Sequence, residues 1–243
     1  MLIDLHTHSS GISRCCRVTA REMLDLAKQI GLDGVALTNH YQKNYVTDGD
    51  WLGFAKRYLA EYNAAWEYGE RIGLRVLFGI EVTMERYPKV HMLIYGTEQA
   101  FLLDNPTLFE LSQEELYRLV KQNGGVLIQA HPYRKGKRLL DTRLMDGIEI
   151  NSHPLYPEGP CLAELAEVAS HAGLILTCGG DYHADTFRPT CGTYLPESVG
   201  DTQALARYLS TSSSIDLYVQ EPLQSQHYPV TYTRKNGISS AFR

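Results

Sequence analysis

The chain has 243 residues, 44% hydrophobic and 21% charged, with a formal net charge of -5. That length suits one large globular domain or two small ones, the acidic balance gives no global attraction to nucleic acid or membrane, and no apolar stretch approaches the ~20 residues of a membrane helix. The five cysteines (Cys15, Cys16, Cys161, Cys178, Cys191) are odd in number and form no Cys-x-x-Cys pair, so free thiols in a reducing, cytoplasmic setting are expected.

Leu2 to Leu5 reads as the first strand, and no signal peptide is expected ahead of it. At its end, Asp4, His6 and His8 fall on one face, because a strand sets residues i, i+2 and i+4 on one side. Two imidazoles beside a carboxylate can begin a metal site. Thr19-Ala20-Arg21-Glu22 is a capping box, and Met23, Leu26, Ala27 and Ile30 follow at helical spacing up to Gly31. Gly34 to Thr38 reads as a buried strand. Trp51 to Ile72 reads as a long helix with Phe54, Tyr58, Tyr62, Ala65 and Trp66 on one core-facing side.

Arg75 to Ile80 and Val90 to Tyr95 are strand-like. Ser112-Gln113-Glu114-Glu115 is a second capping box, with its helix closing at Gly124-Gly125. Val126 to Gln129 and Gly147 to Ile150 are strands. Gly159-Pro160 predicts a helix start with Pro at the first helical position, ending at Gly173. Leu174 to Cys178 is the last clear strand, and Asp201 caps a short helix through Leu209. Ser210 to Ser214 reads as a loop, and the residues after Pro222 show no clear periodicity.

About seven strands separated mostly by helices favour a parallel sheet covered by helices. No Gly-x-Gly-x-x-Gly follows the first strand, which disfavours a dinucleotide fold. The spread of polar groups over many strand ends fits a barrel, whose site lies at the C-terminal strand face. Those ends carry His6 and His8; Thr38-Asn39-His40; Gly79-Ile80-Glu81; His91, at the start of its strand; Gln129-Ala130-His131-Pro132; Glu149 to His153; and Gly180-Asp181-Tyr182-His183. Six of the nine histidines thus lie at or beside strand ends in metal-type motifs, where random placement would put some on helices.

On Asp4-Leu5-His6-Thr7-His8-Ser9, Thr38-Asn39-His40, Gly79-Ile80-Glu81, Ala130-His131-Pro132 and Gly180-Asp181-Tyr182-His183, the chain resembles the PHP (polymerase and histidinol phosphatase) superfamily. The motifs run in the family's order and span the chain to about residue 210. The resemblance implies an α/β fold: a distorted, TIM-like, seven-stranded (β/α) barrel, here residues 1–215, followed by a C-terminal extension, 216–243, packed on the barrel or serving as an arm. It implies two or three divalent metals in the barrel mouth, and the ligand types suit Zn²⁺, Mn²⁺ or Fe²⁺ better than Mg²⁺. His6, His8, Glu81 and Asp181 would hold the first metal. Glu81, His91 and His131 would hold the second, with Glu81 bridging, and His40 and His183 the third. Asp4 would orient an imidazole N–H.

The position where the family usually supplies a third-site Asp or His is Arg14, within Ser13-Arg14-Cys15-Cys16. A guanidinium cannot bind a metal. Either the third metal is absent and Arg14 takes its place as a cation near the phosphate, or Cys15 or Cys16 supplies a thiolate, or water completes the shell; the first reading is preferred. Asn39 stands where Asp is common.

The implied function is hydrolysis of a phosphate monoester of a small metabolite, histidinol-phosphatase-like, by water activated between two metals near Glu81. His183 or His40, if not tied to a third metal, would protonate the leaving alkoxide. Arg134, in the basic loop Pro132 to Arg138, together with Arg14, Arg188 and His153, are candidates for substrate contacts. The alternatives are a nuclease-type phosphodiesterase, which the acidic charge disfavours, a non-catalytic metal-binding module, and a related hydrolase cutting a C–N or phosphotyrosine bond.

Overall fold

The computed structural model describes residues 1–134, 138–151, 162–184, 192–220, 227–235 and 237–240. Its strands are β1 (Leu2–Thr7), β2 (Gly34–Leu37), β3 (His40–Tyr41), β4 (Arg75–Thr83), β5 (His91–Tyr95), β6 (Val126–Gln129), β7 (Gly147–Asn151), β8 (Ile175–Gly179), β9 (Gly192–Tyr194), β10 (Ser214–Gln220), β11 (His227–Thr233) and β12 (Gly237–Ser240). The helices are α1 (Ala20–Gln29), α2 (Trp51–Ile72), α3 (Ala100–Asp104), α4 (Gln113–Gln122), α5 (Leu162–Ala172) and α6 (Thr202–Thr211).

Seven strands in the order β1-β2-β4-β5-β6-β7-β8 curl into a nearly closed barrel. The seam lies where β1 meets the chain just after β8. There Thr7 and Tyr182 form a parallel bridge, and the His8 amide donates to the Tyr182 carbonyl at 3.2 Å. β3 sits beside the ring, paired with the extended end of β4.

The ring is not wholly parallel. β4, β5 and β6 pair antiparallel, while β1-β2-β4 and β6-β7-β8 are parallel. Only residues 84–90 separate β4 from β5, too few for a helical crossover, so the chain turns back as a hairpin. That reversal puts the start of β5 beside the end of β4, pairing His91 with Thr83. A residue at a strand start thereby reaches the same rim as residues at parallel strand ends.

Local chemistry sets the helix boundaries. Thr19 and Ser112 each close a capping box, with Glu22 and Glu115 as reciprocal partners. Asp201 caps α6 by accepting from the Ala204 amide. Helix α2 ends on Gly73 at φ 67°, where a side chain would be strained. α2 buries Phe54, Tyr58 and Ala65 against the sheet, but Trp66 is 46% exposed. One residue past Ala65 the helix has turned by about 100°, so Trp66 lies off the apolar stripe. The predicted start of α5 at Gly159-Pro160 lies outside the described residues.

Beyond the ring, β9 pairs antiparallel with β1, β10 with β9, β11 with β10 and β12 with β11. Ile215, Leu217 and Val219 alternate inward along β10 and are buried. On β11, Val230 and Tyr232 are buried, and the Tyr232 hydroxyl donates to the Leu174 carbonyl at 2.7 Å. The described parts of segment 216–243 therefore extend the sheet and pack on the barrel. No described helix is long and apolar enough to cross a membrane.

Candidate metal centre

The strand period brings His6 and His8 to one rim of the barrel from β1. β3 contributes His40, opposite Glu81 of β4 in the pairing register. His91 comes from the start of β5, His131 from just after β6, and Asp181 and His183 from just after β8. Apart from His91 and His183, which are partly exposed, these residues are buried. His131 and Asp181 adopt left-handed backbone, at φ 31° and 52°. Non-glycine residues hold such angles only where the surroundings impose them, commonly at functional sites.

Glu81 is the hub. Its Oε1 lies 2.8 Å from His91 Nδ1, 3.2 Å from His6 Nε2 and 3.3 Å from His131 Nε2. Its Oε2 contacts His40 Nδ1 and lies 3.6 Å from His8 Nε2. Asp181 Oδ1 lies 3.1 Å from His8 Nε2 and 3.4 Å from His6 Nε2. Four overlapping sets result, each with ligand atoms within 4.8 Å of one another: His6-His8-Asp181, His6-Glu81-His131, His40-Glu81-His91 and His8-His40-His183.

The imidazole tautomers follow from what lies on the far side of each ring. His6 Nδ1 is 2.9 Å from Glu149 Oε2, so it carries the proton and donates. Ser13 Oγ donates to Asn39 Oδ1 at 2.8 Å and accepts from His8 Nδ1 at 3.1 Å. The Nε2 lone pairs of His6 and His8 are then directed at carboxylate oxygens in a buried space. Lone pairs facing carboxylates at this range repel unless a proton or a metal cation lies between them. His6 Nε2 and Glu81 Oε2 are buried without a hydrogen bond of ordinary geometry, a state costing about 1–3 kcal/mol each. The donor set therefore fits divalent metals.

Without an ion, the acids and imidazoles of the cluster shift one another: burial lowers His6, and Glu149, Glu81 and Asp181 overcome it and carry it well above its ordinary value. Burial alone would raise the Glu81 carboxyl, yet His91, His40 and His6 hold it well below the usual range. Burial likewise opposes ionisation of Asp181, and Arg134, His6 and His183 overcome it. Burial, then the charges at His183 and His40, push His8 well below its ordinary value. His40 is lowered by burial but carried up to about 10 by Glu81. The Cys15 thiol, raised by burial, is drawn down to about 6 by His183 and His40.

Two expected residues fall elsewhere. Arg14 is exposed, with its guanidinium on the carbonyls of Asn44 (3.2 Å) and Tyr45 (2.9 Å) and over the Tyr45 ring. Among the described residues, none of its contacts is with the imidazole cluster. Asp4 hydrogen-bonds no imidazole among the described residues. Its Oδ1 accepts from the backbone amides of His6 (2.9 Å) and Gly180 (2.8 Å), tying β1 to the loop after β8. Glu149 is the carboxylate that orients an imidazole. It fits against β1 because Gly179 has no side chain: a Cβ there would stand 2.5 Å from both Glu149 Oε1 and His6 Cβ.

Arg134 reaches the centre, with Nη1 2.6 Å from Asp181 Oδ2 and Nη2 2.6 Å from Asn151 Oδ1. His153 and Arg188 lie outside the described residues. Sequence reasoning assigned no role to Glu149 or Ser13. A lone acid within the apolar run Gly147-Ile148-Glu149-Ile150 was the available signal for the first. Ser13 had none, because a hydroxyl in a loop is commonplace.

A family model described as the PHP domain matches residues 4–185. A curated relative, phosphoribosyl 1,2-cyclic phosphate 1,2-diphosphodiesterase of Eggerthella lenta, is 35% identical over 102 residues, covering 41% of this chain and 32% of that protein. Among solved structures, PsfC from Pseudomonas syringae superimposes with a TM-score of 0.60 at 21% identity, covering 86% of this chain and 87% of that one. A Bifidobacterium adolescentis protein assigned as a metal-dependent phosphoesterase gives a TM-score of 0.53 at 20% identity, covering 85% of this chain and 94% of that one.

Proposed function

The chain belongs to the PHP domain family, and from that premise we propose that it is a metal-dependent phosphoesterase hydrolysing the phosphate monoester of a small metabolite. The observation that carries this reading is the convergence of His6 and His8 Nε2 on the carboxylates of Glu81 and Asp181. His6, His8, Glu81 and Asp181 would hold one ion, and Glu81, His91 and His131 a second. Zn²⁺, Mn²⁺ and Fe²⁺ suit such mixed imidazole and carboxylate shells. Bound there, divalent ions would acidify a water to near-neutral pKa and neutralise charge on phosphoryl oxygens.

The chain's own groups supply the rest. Glu81 sits between the two ligand sets, so one carboxylate fixes their spacing. Glu149 and Ser13 hold the proton-bearing Nδ1 of His6 and His8, which keeps both Nε2 atoms as donors of electron pairs. Arg134, at the rim and with a side chain 12% exposed, would offer its remaining N–H groups to the substrate phosphate. The net charge of -5 favours a small anionic substrate held by such local cations over a nucleic-acid polymer.

A second reading has its own support. The Eggerthella lenta relative is named for a cyclic phosphate diester, and the same centre would suit attack on a strained five-membered phosphate ring. Both readings are tested by incubating the Mn²⁺-loaded protein with a panel of phosphate monoesters and 1,2-cyclic ribose phosphates. Inorganic phosphate marks monoester cleavage, and ring-opened monoester marks the second. Either should vanish after chelator stripping and in His8→Ala. Absence of both products from protein that retains its metal would overturn the phosphoesterase assignment.

A further inference from the structure

A chain of hydrogen bonds leaves the far side of His8 and ends on helix α2. Its direction is set at the outer end, where Ser9 Oγ lies 2.7 Å from Glu61 Oε1. A carboxylate accepts, so the Ser9 hydroxyl donates there and its one proton is spent. Ser9 Oγ therefore accepts from Asn39 Nδ2, 2.9 Å away. That orients the Asn39 amide with Oδ1 on its other side. The Ser9 backbone N–H, which can only donate, meets Oδ1 at 2.8 Å and requires the same orientation. Two separate partners thus agree on which way the amide points.

Asn39 Oδ1 also takes the Ser13 hydroxyl proton, at 2.8 Å. Ser13 Oγ then has only lone pairs left for its other neighbours. The His40 backbone N–H fills one at 3.0 Å, and His8 Nδ1 meets the other at 3.1 Å. Ser13 Oγ thus uses its one proton and both lone pairs, and His8 Nδ1 has to be a donor. Ser9, Ser13, Asn39 and His8 are all buried, where a misplaced proton costs more than in water. Glu61 reaches the chain across Gly11, where any side chain would collide with its carboxylate.

We propose that Asn39 is a positioning residue for His8. Through Ser13 it keeps the imidazole proton on Nδ1 and the Nε2 lone pair toward Asp181 Oδ1, 3.1 Å away. Ser13 alone does not impose this, because a hydroxyl donates as readily as it accepts. With no acceptor at position 39, the Ser13 proton would turn to His8 Nδ1. The imidazole proton would then sit on Nε2, the atom an ion needs. Asparagine suits the place because its amide accepts at one end and donates at the other. An aspartate would still accept from Ser13, but Ser9 would have one proton for two carboxylates. The role rests on reading the rim as a metal centre, and it gives the neutral residue at position 39 a task there.

The test uses Zn²⁺ alone as the probe, on full-length chain with histidine labelled for nitrogen NMR. In the wild type, the imidazole absent from His8→Ala should bear its proton on Nδ1, and Zn²⁺ should shift its Nε2. Asn39→Ala should lose that Nδ1 proton to exchange and bind Zn²⁺ at His8 about 10–100-fold more weakly. Asn39→Asp, which keeps the acceptor for Ser13, should hold the proton and stay near wild-type affinity. In a Ser13→Ala background, Asn39→Ala should add no further loss, since the route is already cut. An Asn39→Ala protein with the wild-type Nδ1 proton and affinity, and only a lower unfolding midpoint, would reduce Asn39 to a structural tie and overturn the proposal. A wild-type His8 protonated on Nε2 would overturn it too, with no variant needed. A wild type whose His8 carries the Nδ1 proton but binds no Zn²⁺ would uphold the hydrogen-bond chain and overturn the metal centre.

Discussion

Arg134 and Asp181 form a largely shielded ion pair at the barrel rim, with Nη1 2.6 Å from Oδ2. The carboxylate also faces His6 and His8, so one residue joins the ligand set to the cation proposed to meet substrate. Replacing Arg134 by Ala should lower kcat/KM by about 100-fold, or ~2.7 kcal/mol, the scale of one lost charge-stabilising donor. Arg134→Lys should recover little, since an ammonium cannot span Asp181 and Asn151 as a fork. Metal content should stay at wild-type level. Steady-state kinetics with parallel metal analysis decide this, and wild-type kcat/KM in Arg134→Ala would remove the residue from the site.

Glu149 acts through His6. Loss of its carboxylate frees the ring to rotate and to exchange tautomers. Glu149→Ala should weaken the first ion by about 10–100-fold, the usual cost of losing a ligand's orienting partner. Glu149→Gln, whose amide oxygen still accepts from Nδ1, should fall between. Competition against a chelator of known affinity measures the change. Equal affinity in all three proteins would contradict the positioning role.

Asp4 gives the ion-free chain a pH signature. Burial pushes its carboxyl from the ordinary 3.8 up to about 7, against the opposing hydrogen bonds from Gly180 and His6. Across that window the folded chain holds a proton that the unfolded chain has lost, so this group's contribution to stability falls as pH rises. Asp4→Asn removes the titration and keeps an acceptor for both amides. Urea unfolding of stripped protein should show wild type losing stability relative to Asp4→Asn as pH rises from about 4 to about 7, then holding level. A difference that moved the other way would refute the assignment.

Tyr58, on α2, is buried with its hydroxyl 2.9 Å from the carbonyls of both Asn39 and Gly79. It ties the link between β2 and β3 to β4, next to His40 and Glu81. Tyr58→Phe leaves the packing but strips both carbonyls of that donor, at a cost of about 1–3 kcal/mol. The urea midpoint should drop, while the metal-saturated protein keeps its stoichiometry. An unchanged midpoint would show that other donors satisfy those carbonyls.

The ligand motifs were legible because strand ends combine two signals, an apolar run and then a polar residue type with few other uses. The boundaries of α2 and the caps at Thr19, Ser112 and Asp201 were legible for the same local reason. The hairpin between β4 and β5 was not, since strand direction depends on loop length and not on residue type within the strand. Ile215, Leu217 and Val219 carried the alternation that marks β10, but the serine run before them suggested a loop. The placement of Arg14 depended on the carbonyls of Asn44 and Tyr45, which no pattern near Arg14 reveals. Glu149 and Ser13 act on ligands far away in sequence, and one chain read by itself gives no pairing information of that kind.

The seam at Thr7 and Tyr182 joins the first strand to the segment after β8, and His6, His8, Asp181 and His183 straddle it. An ion held by His6, His8 and Asp181 would work as a clasp on an almost complete ring, because its ligands come from both sides of the gap. Unfastening the barrel then requires giving up the ion. Each tenfold excess of free ion over its Kd should add about 1.4 kcal/mol to the resistance against opening, so trace metal in the surroundings would set how tightly the whole cylinder stays shut.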